Sequence, residues 1–124
     1  MVTVNIQADS KFPVNRVLVR LAVRRVTDEY GLRQAQVGVV VVGERKMKQL
    51  NQQWMKRKEA TDVLAFPLDG GFDELNGPLM LGDVVVCWPT AVKQAGERNV
   101  LVDEEVDRLV EHGLRHLLGE HHDD

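Results

Sequence analysis

The stretch QVGVVVV, residues 36–42, decides the fold class of this chain. Five of its seven residues are valine, whose β-branched side chain is stiff in a helix and at ease in a strand. The run barely alternates, so it predicts a strand covered on both faces, as in the centre of a sheet. It is also far shorter than the ~20 apolar residues that a membrane-spanning helix needs. Working outward, Val2 to Gln7 alternates apolar and polar residues, the period of a half-buried strand. Pro13 suits the first turn of a helix over Val14 to Tyr30, with Gly31 as its stop. Downstream, Glu44 to Trp54 reads as a helix, and Thr61 to Pro67 as a short strand ended by proline. Leu81 to Cys87 reads as a second buried strand. Pro89 opens a helix to about Asn99, and Asp103 starts the last one. LDGGFDELNGPLM, residues 68–80, is rich in turn formers and reads as the one long loop. Residues 1–124 therefore read as one domain, with about four strands in a mixed sheet layered against helices.

Composition narrows the setting. Apolar residues make up 44% and charged residues 28%, as in ordinary globular proteins. MVTVNIQADSK lacks the basic start and apolar core of a signal peptide. The lone Cys87 lies in the run VVVC and reads as a small buried hydrophobe. A reducing cytoplasm fits these features. The net charge of −3 hides an uneven distribution. Residues 101–124 carry eight acids and two arginines, whereas residues 11–33 and 44–59 each carry six Lys/Arg and two acids. Mild overall acidity therefore leaves room for a nucleic-acid partner. On a helical wheel Arg16, Arg20, Arg24 and Thr27 share a narrow face, and apolar residues including Val17 and Leu21 cover most of the rest. That predicts a well-buried helix with a basic stripe outside.

All four histidines fall within residues 112–122. His112 and His116 are four apart, which on a helix puts both imidazoles on one face, one turn apart. Gly119 can take the left-handed conformation that ends a helix and turns the chain back. His122 follows three residues later, completing H-x-x-x-H-x-x-G-x-x-H, and His121 competes with it as third ligand. Three imidazoles suit one Zn²⁺ per chain and leave one position open for water. Zinc lowers the pKa of that water to about 7, so the pattern points to hydrolysis, with zinc-bound water as the candidate nucleophile. Gly113 stands where zinc peptidases of this spacing carry their general-base glutamate, which argues against peptide hydrolysis. A glycine inside a helix costs about 1 kcal/mol relative to alanine, so something approaches there, another backbone or the substrate. Glu111 reads as a solvated helix residue. No residue of the sequence declares itself as the general base.

The segment HGLRHLLGEHHDD resembles the YbeY family of bacterial ribosomal-RNA-maturation endoribonucleases, whose signature runs roughly HGxLHLxGYDH. ATDVLAFP at residues 60–67 is similar to the family's TDVLSFP, and LGDVVV at 81–86 to its LGDIVI. Asn51 with Trp54 resembles the N-x-x-aromatic that precedes them. The order and spacing agree across roughly residues 36–122. The resemblance implies an α+β fold related to the zincins, with a C-terminal metal-binding helix and zinc on His112, His116 and His122. It implies a metal-dependent endoribonuclease that prefers single strands, and a place in small-subunit (16S) ribosomal RNA 3′-end maturation and ribosome quality control. The chain departs from the family pattern at Met55, where relatives usually carry arginine, and at Arg115, Glu120 and His121.

Cleaving a phosphodiester requires a nucleophile, charge stabilisation and a held backbone. Metal-activated water and the neighbouring 2′-hydroxyl of RNA both remain open as nucleophiles. Lys56, Arg57 and Lys58 are candidates to hold phosphate, and Arg20 and Arg24 to track the RNA backbone. Lys56 and Arg57 adjoin Met55, although a lysine does not reproduce an arginine's bidentate fork. Asp62 and Asp83, read at strand starts, are either turn residues or partners that orient a zinc histidine. The expected partners are single-stranded RNA and the small ribosomal subunit, with no membrane. The competing reading is a ribosome-assembly binding protein whose metal is structural.

Overall fold

The computed structural model describes residues 1–55, 62–67 and 79–119. Its elements run β1 (Val2–Ala8), α1 (Arg16–Glu29), β2 (Ala35–Val42), α2 (Glu44–Met55), β3 (Val63–Pro67), β4 (Leu79–Cys87), α3 (Trp88–Arg98) and α4 (Val102–Leu117). The four strands form one sheet in the order β1-β2-β4-β3. β1 and β4 both pair with β2 in parallel, and β3 pairs antiparallel with β4. This is the α+β architecture of a mixed sheet layered against helices.

The strand period sorts side chains onto two unlike faces. On one face Val2, Val4, Ile6, Val37, Val39, Val41, Val84 and Val86 are buried. They form the main core with Val19, Val23 and Val26 of α1 and Val106, Leu109, Val110 and Leu114 of α4. On the other, Met47 of α2 packs with Leu64, Val85 and Cys87, flanked by Val40, Val42, Leu50 and Phe66. That second cover is partial. The central strand is therefore fully buried on one side only, and Val40 and Val42 stay half-buried.

A bulge sets the phase of β4. Gln36 faces Met80 but Val37 faces Gly82, so Leu81 is the extra residue. It joins the same core as Val84 and Val86 despite its odd position. Gly82 has φ +129, and a Cβ there would run into the Phe66 carbonyl, so only glycine serves. β4 therefore begins two residues before its LGD motif, inside the stretch read as loop.

α1 starts at Arg16, later than Pro13 suggests, because the Asn15 side chain accepts from the Leu18 amide at 3.1 Å. Its buried face is Val19, Ala22, Val23, Val26 and Thr27. Thr27 thus belongs to the core and not to the basic stripe, and its hydroxyl donates to the Arg24 carbonyl at 3.1 Å. Val17 and Leu21 lie outside, 66% and 48% exposed, so α1 covers the sheet with one face only. Cys87 is fully buried, as read, and accepts from the Thr90 hydroxyl. No described helix is long and apolar enough to cross a membrane.

Candidate metal centre

α4 carries His112 and His116, and its sequence explains its seat. Asp103, Glu104 and Glu105 lie in its first turn, where the helix dipole favours acids, and Arg115 and His116 in its last. The helix lies against β3, β4, α1 and α3. Gly113 makes the approach to the sheet possible: a Cβ there would lie 2.6 Å from Val84 Cγ1 and 3.1 Å from Val63 Cγ2. What crowds it is the side chains of two strand valines, and not the second backbone that its helix cost suggested. Along the α1 side, Arg25 Nη1 meets Glu111 Oε1 at 3.3 Å and Arg115 Nη2 meets Glu29 Oε2 at 2.9 Å. Glu111 is therefore an ion-pair partner at 24% side-chain exposure, not a solvated residue.

With α4 held on these sides, His112 and His116 are left on its exposed surface. Their ring centroids are 5.3 Å apart at an interplanar angle of 62°. Two imidazoles at that separation, open to solvent, suit two ligand positions of one borderline cation such as Zn²⁺. The chain turns directly afterwards: Gly119 has φ +92, and its amide donates to the His116 carbonyl at 3.1 Å. His121 and His122 lie outside the described residues, as do Lys56, Arg57 and Lys58. Among the described residues no third His, Cys, Asp or Glu joins the pair.

The remaining candidates separate. Asp62 precedes β3; its carbonyl accepts from the Cys87 amide at 2.9 Å and its carboxylate from Gln94 Nε2 at 3.3 Å. Asp83 lies within β4 and not at its start, exposed on the sheet face opposite α4. It lines a shallow cavity of about 240 Å³ with Thr3, Asn5, Gln36 and Gly38, so it does not orient the histidines. Arg20 and Arg24 stay on the outer surface of α1, and Arg25 is the α1 cation that meets α4. Arg16 is spent on the sheet, donating to the Ile6 carbonyl at 2.9 Å. Sequence reasoning passed over Glu105 and Arg108, the buried acid and its arginine near the start of α4. Arg108 is four residues before His112, and that spacing was the available signal.

Comparisons with known proteins identify the family. The family profile described as Endoribonuclease YbeY matches residues 4–124. A protein named endoribonuclease YbeY from Aquifex aeolicus is 35% identical over 128 residues, covering 94% of this chain and 83% of that one. Its namesake from Thermus thermophilus is 38% identical over 104 residues, covering 84% and 74%. The solution structure of TM1509 from Thermotoga maritima superposes with a TM-score of 0.61 at 26% identity, covering 99% of this chain and 75% of that one. With its profile matched almost from end to end and its histidine helix seated on the sheet, the chain belongs to the YbeY endoribonuclease family.

Proposed function

We propose that this protein is a metal-dependent endoribonuclease that cuts single-stranded RNA. The observation that carries the proposal is the pair of exposed imidazoles one turn apart on α4, 5.3 Å between centroids. His112 and His116 hold one cation, and His122 supplies the third nitrogen. Zinc, when bound there, supplies Lewis-acid polarisation and an activated water at neutral pH. The chain's own share is positional. Gly113 lets α4 sit down on Val63 and Val84, and its buried face of Val106, Leu109, Val110 and Leu114 sets its rotation, with the Glu111 and Arg115 ion pairs at the edge. Basic side chains along residues 56–58 hold the RNA backbone, with Arg20 and Arg24 as a further track. In the cell the substrate is the 3′ end of small-subunit ribosomal RNA, in the cytoplasm, during maturation and quality control of the ribosome. The support for this finer assignment is family membership.

The test is cleavage of a labelled single-stranded RNA by wild type and His116→Ala, purified identically and loaded with zinc. Cleavage by wild type alone is expected. Equal cleavage by both would assign the activity to a contaminant. Cleavage by neither, with RNA still bound, would favour an assembly factor with a structural metal.

A further inference from the structure

Glu105 is 1% exposed, and a carboxylate so buried demands compensation. It receives two arginines. Arg108 grips it along one edge: Nε lies 3.2 Å from both oxygens, and Nη2 lies 2.6 Å from Oε2. Arg98 Nε approaches Oε1 at 3.5 Å from α3. One buried charge is thus shared between two cations. The hydrogen bond to Glu105 also holds the Arg108 guanidinium in its charged form, above its ordinary pKa.

The grip leaves part of Arg108 unused. A guanidinium has five N–H donors in a plane, and the Glu105 contact takes the Nε/Nη2 edge. The second edge, Nη1 with the other Nη2 hydrogen, has no bond among the described residues, and the side chain is 41% exposed. Of the two carboxylates whose field Arg108 feels, Glu105 is shared with Arg98, and Asp62 accepts from Gln94. The Arg108 backbone precedes His112 by four residues and His116 by eight, about one and two turns along α4, and its guanidinium turns back toward Glu105, on the N-terminal side of the histidines. A planar cation, locked in orientation with its second edge open, therefore stands on the same helix, upstream of the histidine pair. That is the geometry that recognises a phosphodiester oxygen pair.

We infer that Arg108 binds a backbone phosphate of the RNA upstream of the histidines along α4, with Glu105 as the residue that positions it. This rests on the endoribonuclease reading above. The locked guanidinium loses little rotamer freedom on binding, so the contact is strong for a half-exposed side chain.

The experiment is binding of a fluorescein-labelled single-stranded oligoribonucleotide, followed by anisotropy across a salt series in EDTA, where no cleavage intervenes. Arg108→Ala is expected to weaken binding about tenfold and to reduce the salt slope by roughly 0.7, the loss of one phosphate contact. Arg108→Lys restores the slope but not the full affinity, because an ammonium lacks the fork. Glu105→Gln weakens binding with the slope unchanged, since position is lost and the cation kept. Wild-type affinity and slope in a folded Arg108→Ala would overturn the inference; if that variant does not fold, wild-type affinity in Arg108→Lys would do so. The two readings fail separately. RNA cleavage by zinc-loaded His116→Ala at the wild-type rate sinks the endoribonuclease reading whatever Arg108 does. Wild type that binds no RNA sinks both.

Discussion

The two faces of the sheet are built to different tolerances. The face under α1 and α4 is a continuous valine core, and its one glycine on a helix, Gly113, is there because nothing larger fits. The opposite face is covered by α2 over β4 and part of β2, and its far end is polar: Thr3, Asn5, Gln36 and Asp83 around an open cavity. It too has a crowded glycine, Gly38, but what crowds it is the exposed Asp83 carboxylate. The same residue type thus marks a fixed contact on one side and a yielding one on the other. Close packing fixes the position of a helix surface and of the side chains it presents. A solvated carboxylate beside a glycine fixes nothing.

The sharpest way to break this contrast is Gly113→Ala. Overpacking against two strand valines costs up to about 3 kcal/mol, and the better helix propensity of alanine returns about 1. A net loss near 2 kcal/mol in urea unfolding is expected, with weakened zinc affinity because α4 must lift. No loss would mean that the close-packed face yields as readily as the open one. Next comes Glu105→Ala. It leaves Arg98 and Arg108 unpaired but half-exposed, so water recovers part of the charge and about 1.5 kcal/mol is lost. A loss as large as that of Gly113→Ala would mean both arginines are more deeply committed than their exposure indicates.

Asp107 sharpens the comparison by pH. Burial raises its pKa from 3.8 to about 6, Asp103 and Glu111 add to the rise, and Arg25 opposes it. Between those values the folded chain holds a proton that the unfolded chain has released. Stability therefore falls as pH rises from about 4 to about 6, and the deficit stays above that range. Asp107→Asn is expected to flatten that slope and to raise stability at pH 7 by about 1 kcal/mol, discounted because the group is partly solvated. Thermal unfolding at a series of pH values checks both. The smallest effect belongs to Gly38→Ala. Asp83 swings into water, and a change below about 0.5 kcal/mol in the same urea experiment is expected.

These differences also explain how far the sequence could be read. The strands were legible because valine runs and alternation are local signals, and the histidines because helical spacing is. β1-β2-β4-β3 was not legible, since nothing in a strand names its neighbour. The early start of β4 was hidden by turn formers and an internal bulge. Glu111 and Thr27 were misplaced because an outward position on a lone helix says nothing of a second helix beside it. Glu105 looked like an acid complementing the helix dipole, and only its burial under Arg98 and Arg108 gives it another meaning. Gly113 was flagged by its helix cost, but what it touches had to come from the fold.

The pairing pattern has a consequence for the order of assembly. Ala35 faces Val2 across one edge of β2 and Leu79 across the other, so β2 is the template for both parallel strands. α4 follows every strand of the sheet in the chain. Synthesis proceeds from the N-terminus, so the strands that seat Gly113 emerge before the helix that needs them. A lone helix of 16 residues is marginal in water. The two imidazoles therefore cannot be held one turn apart until the sheet beneath them exists. The histidine pair is thus among the last features of the fold to be put in place.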